Sequence, residues 1–62
     1  MEYKLSPTEE QQLHLALSNR EPSKRDHMII ETIKRIALAQ ARKAGYDKAI
    51  IRHRDGDIVV TI

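Results

Sequence analysis

Cysteine, phenylalanine and tryptophan are missing from these 62 residues, and glycine and proline occur only twice each. Without cysteine there is neither a disulfide framework nor a thiolate metal cluster. With Tyr3 and Tyr46 as the only aromatics, a core has to be assembled from aliphatic side chains. A chain this short buries only about 60% of the surface that its unfolded form exposes. Domains below roughly 70 to 80 residues ordinarily add disulfides, a metal, an exceptionally good core or an oligomeric interface. With the first excluded, a homodimer is the expected supplement.

Long apolar runs are missing too. Met28-Ile29-Ile30 and Ile58-Val59-Val60 fall far short of the roughly 20 residues that cross a bilayer, so no membrane helix is expected. Met1-Glu2-Tyr3-Lys4-Leu5 lacks the basic segment and apolar run of a secretory signal, and a cytoplasmic location is expected. The net charge of +2 permits nucleic-acid binding without requiring it.

What is there reads as one α+β domain over residues 1–62. Ser6 can cap free backbone N–H groups, Pro7 suits the first helical position and Glu9 completes a capping box. A helix should run from there to about Asn19, with Leu13, Ala16 and Leu17 on one face and Leu15 opposite. Pro22 ends it. Ser23 with Asp26 then opens a second helix that should reach Ala44, where Gly45 supplies the left-handed residue of a helix end. Ile29, Ile30, Ile33, Ile36, Ala37, Ala41 and Ala44 fall in one arc of that helix. Met28, Leu38 and Ala39 interrupt its charged face, and Leu38 is a contact outside the core.

Beyond Gly45 the hydrophobic period becomes two. Asp55-Gly56 predicts a two-residue type I′ turn between strands over 49–54 and 57–62. In that register His53 faces Ile58, Ile51 faces Val60 and Ala49 faces Ile62, all on the core side. Ile50, Arg52, Arg54, Asp57, Val59 and Thr61 take the other side. A two-stranded hairpin is marginal alone, so residues 1–5 are a candidate third strand. The expected fold is two antiparallel helices on a C-terminal hairpin, joined through Leu13, Leu17, Ile29, Ile33, Ile36, Ile51, Val60 and Ile62.

Chemistry-bearing patterns are few. Glu10 with His14, and His27 with Glu31, stand four apart on helices, a spacing commoner as an exposed helix pair than as part of a metal site needing three or four ligands. Asp55-Gly56-Asp57 lacks the ligand array of a calcium loop and reads as a turn. The serines fit as caps, and there is no glycine-rich phosphate loop. No catalytic residue, metal or cofactor is expected.

Two functions remain in view. The first is a non-catalytic protein-interaction module, such as a small dimeric regulator or inhibitor, contacting its partner through Leu15, Leu38, Arg35, Arg52 and Val59. Apolar anchors beside arginine are what interfaces favour. The second is a dimeric nucleic-acid-binding regulator using Arg35, Arg42, Lys43, Arg52 and Arg54 against phosphates. Asp26 and Glu31 on the same helix, and the lack of an aromatic platform for bases, weigh for the first.

Overall fold

The structure, a computed structural model, describes residues 1–61. Its elements run β1 (Glu2–Lys4), α1 (Pro7–Ser18), α2 (Lys24–Lys43), β2 (Lys48–Arg52) and β3 (Ile58–Thr61). The three strands form one sheet in the order β1-β2-β3, an α+β architecture that contains the C-terminal hairpin.

Both helices begin where local chemistry dictates. Ser6 Oγ accepts from the Glu9 N–H at 3.2 Å, and Glu9 Oε1 accepts from the Ser6 N–H at 3.0 Å. Ser23 and Asp26 repeat the arrangement at the same two distances. Each box satisfies two backbone donors that a helix start otherwise leaves open. α2 ends on Gly45 at φ 87°. There the Tyr46 N–H reaches the Ala41 carbonyl at 2.8 Å and the Gly45 N–H reaches that of Arg42 at 3.0 Å, the paired bonds of a Schellman stop.

β1 is the third strand that the hairpin needs, and it lies parallel to β2, with Tyr3 beside Ile51. Parallel strands require a long crossover, which α1 and α2 together provide. β2 and β3 pair antiparallel with Ile51 opposite Ile58 and Ala49 opposite Val60. This register differs by two residues from the one that a tight Asp55-Gly56 turn predicts. Among the described residues no residue other than glycine has positive φ, so Asp55 cannot occupy a type I′ position. The strands stop at Arg52 and resume at Ile58, and residues 53–57 form a longer loop. A shift of two preserves the faces, because side chains alternate with period two. The predicted partner of Ala49, Ile62, lies outside the described residues.

One face of the sheet therefore carries Tyr3, Ala49, Ile51, Ile58 and Val60, and α2 packs on it. Tyr3, Leu13, Ile33, Ala37, Ala41, Ala49 and Ile51 form the buried core, with Ile29 and Ile30 at its margin. Three alanines in that set let backbones approach closely where bulky aromatics are absent. Two expected core members are corrected. Leu17 is 44% exposed and Ile36 is 39% exposed. The buried residues of α1 are Leu13 and Ala16, and Leu17 falls on the exposed side of its last turn. Ile36 lies on the flank of the α2 arc, where it lines an open groove with α1 residues Glu9 and Gln12. Ala44, the end of the expected arc, is exposed as the C-cap.

A candidate interaction surface on the helices

α2 has a second apolar face. Met28, 68% exposed, and Ile36 stand on it, and with Ile29 and Ile33 they line a groove of about 430 Å³. Positions 28, 29, 32, 33 and 36 recur at spacings of three and four, so they stack along one side of a helix. α1 supplies the opposite wall through Glu9 and Gln12, and Arg25 stands at the rim. Leu15, 60% exposed, extends the apolar lining along α1 beside Arg25 and Ile29. On the far side of Met28 the surface continues through Glu31, Thr32 and Arg35.

Glu9 fastens this rim to the core. Its Oε2 accepts from the Tyr3 hydroxyl at 2.9 Å while its other oxygen serves the Ser6 cap. The Ser6 N–H, opposed by partial burial and assisted by Tyr3, holds the Glu9 carboxyl below its ordinary value. Burial, with the same Glu9 contact, pushes the Tyr3 phenol up.

A polar cluster lies where the hairpin loop meets α1. The Arg54 N–H donates to Glu10 Oε1 at 3.1 Å and the Arg54 guanidinium to Gln11 Oε1 at 3.2 Å. His14 pairs with Asp55, whose carboxyl that hydrogen bond lowers. The His53 side chain is buried, and its Nδ1 accepts from the Asp55 N–H at 3.2 Å. That bond places the ring proton on Nε2, which faces Glu10 Oε1 at 3.6 Å, too long for a hydrogen bond. The cluster clamps the loop to α1 through interactions between residues more than forty positions apart. Among the described residues no group of three or more His, Asp or Glu is placed to hold a metal ion. Nor, among them, is any helix long and apolar enough to cross a membrane.

The residues marked from sequence as contacts divide between two faces. Leu15 and Arg35 border the helical groove. Arg52 and Val59, the latter 59% exposed, sit on the sheet face away from α2, where Arg52 binds Glu2 at 2.6 Å and Asp57 at 3.4 Å. Leu38 is half-buried. One partner surface cannot contain all five. The basic set is dispersed as well: Arg35 is midway along α2, Arg42 and Lys43 are at its C-terminal end, and Arg52 and Arg54 are engaged by Glu2, Asp57, Glu10 and Gln11. The groove residues Met28, Thr32 and Ile36 were not singled out as contacts. Their signal was the break that Met28 makes in the charged face and the width of the isoleucine arc.

Comparison with protein-family models, curated proteins and solved structures finds no match to this chain.

Proposed function

We propose that this chain is a non-catalytic protein-interaction module whose working surface is the groove between α1 and α2. The observation that carries the reading is an apolar groove with the buried Ile33 and half-buried Ile29 at its base and the exposed Met28 and Ile36 along its wall, rimmed by Arg25 and Glu9. Apolar lining inside a polar rim is the anatomy of a docking site, and a groove beside a helix suits an amphipathic helix presenting side chains at every third or fourth position. Met28 adds adaptability, because an unbranched thioether repacks around different neighbours. A regulator or inhibitor would use such a surface by occupying that of another protein.

The test is selection of helical peptides from a random library on the immobilised chain, followed by amide chemical-shift mapping. Selected peptides should perturb Gln12, Met28, Thr32 and Ile36, and Met28→Glu should abolish their binding while leaving the fold intact. Peptides that map instead to Val59 and the open sheet face, or that bind Met28→Glu unchanged, would remove the basis of the reading.

A further inference from the structure

Resting on the reading of this groove as a docking surface, we propose that its occupant is a second copy of this chain, with α2 packed antiparallel on α2 about a twofold axis near Thr32. Such an interface is isologous, so one patch has to complement its own inverse. The outward side of α2 meets that condition. On antiparallel helices crossing at Thr32, midway between Met28 and Ile36, residues equally distant from the crossing come level. Glu31 then falls within two residues, about 3 Å of helix rise, of Arg35 of the second copy, and symmetry repeats the contact. Met28 comes level with Ile36 and enters the partner's groove. Within the chain Glu31 reaches Lys34 at 3.7 Å, whereas Arg35 has no ion pair among the described residues and is free to take a partner's carboxylate.

Size and shape agree with this occupant. A helix of 20 residues is about 30 Å long, close to the 35 Å long dimension of the molecule. α2 is the longest element of the chain. A standard interface takes about 800 Å² from each partner, roughly a sixth of the 4653 Å² that the chain exposes. Thr32 at the crossing and Ala39 two turns on are small enough for close approach. Antiparallel packing also sets the opposite ends of the two helix dipoles side by side.

Sedimentation velocity of the full chain from micromolar to millimolar concentration tests the proposal, using Glu31→Arg, Arg35→Glu, the double variant and Val59→Glu. Wild type should dimerise. Each single reversal sets like charges against each other across the twofold axis and should weaken dimerisation about tenfold or more. The double variant should recover most of that loss, and Val59→Glu should match wild type. Circular dichroism establishes that each variant is folded. A wild type that is monomeric throughout, a dimer indifferent to the reversals, or a dimer broken by Val59→Glu would each overturn the second copy as occupant. Peptide binding that depends on Met28 in a monomeric chain would leave the groove standing as a docking surface for another protein. Loss of both would remove the two proposals together.

Discussion

The two sides of α2 do different work with similar residues. Toward the sheet, Ile33, Ala37 and Ala41 are buried because small side chains let the helix settle onto Ala49 and Ile51. Away from it, Met28, Thr32 and Ile36 lie within five residues of those same positions and line an open groove. An apolar stripe wider than one neighbour can cover leaves a remainder. In a chain with few other means of stabilisation, that remainder is the surface most available for a partner. The difference also divides the consequences of substitution: changes on the inner side should be read in stability, and changes on the outer side in association.

The sharpest way to break that division is truncation on both sides. Ile51 is fully buried at the centre of the sheet, and Ile51→Ala should cost about 2–5 kcal/mol. A domain of this length holds on the order of 3–9 kcal/mol in total, so much of the population should unfold. Ile36→Ala should cost less than about 1 kcal/mol. Urea denaturation at a protein concentration below that at which the chain dimerises measures both without a contribution from association. Equal losses would mean that Ile36 belongs to the core and that the outer side is no separate surface.

Enlargement sharpens the same contrast with a smaller effect. Ala37 is fully buried between helix and sheet, and Ala37→Leu should force them apart at a cost of about 1–3 kcal/mol. Thr32→Leu adds comparable volume to the exposed side and should stay within about 0.5 kcal/mol of wild type. Thermal unfolding of the pair at one low concentration decides the point. A strongly destabilised Thr32→Leu would show the groove to be less open than its lining residues indicate.

The inner side was largely legible in the sequence and the outer side was not, for a physical reason. Helix starts are written within four residues, as Ser6 with Glu9 and Ser23 with Asp26, and the stop at Gly45 is equally local. Alternation likewise assigned Ala49, Ile51, Ile58 and Val60 to one face even though their register was displaced by two. The displacement arises because the loop is held by distant groups. Glu10 accepts from the Arg54 N–H, and no dipeptide signal at Asp55-Gly56 contains that contact. Residues 1–5 could be recognised as a possible strand, whereas their parallel pairing with β2 depends on how two helices fill the crossover. Leu15 and Arg35 were recognisable as outward residues of amphipathic helices. The groove between them exists only once α1 crosses α2, and Leu17 and Ile36 were misplaced because a helical arc does not reveal how much of it a neighbouring element covers.

Glu9 stands on the boundary of the comparison, because one carboxylate serves the outer rim, the α1 cap and the buried Tyr3 hydroxyl. Its carboxyl lies below its ordinary value of 4.5, chiefly through the Ser6 N–H. A depressed carboxyl contributes stability above its unfolded value, and that contribution is lost as pH falls through its folded value. Glu9→Gln removes the charge and keeps an oxygen for the cap. At neutral pH it should be less stable by about 0.3–1 kcal/mol, the usual worth of a charge at a helix start. As the pH drops below about 4.5, the gap between wild type and variant should close, while Asp26 and Asp55, also depressed, still give both proteins an acid-dependent loss. Urea midpoints measured for the pair at neutral and acid pH isolate the Glu9 share. A gap that persists undiminished in acid would mean that Glu9 acts there by shape rather than charge, and that the link between rim and core is packing alone.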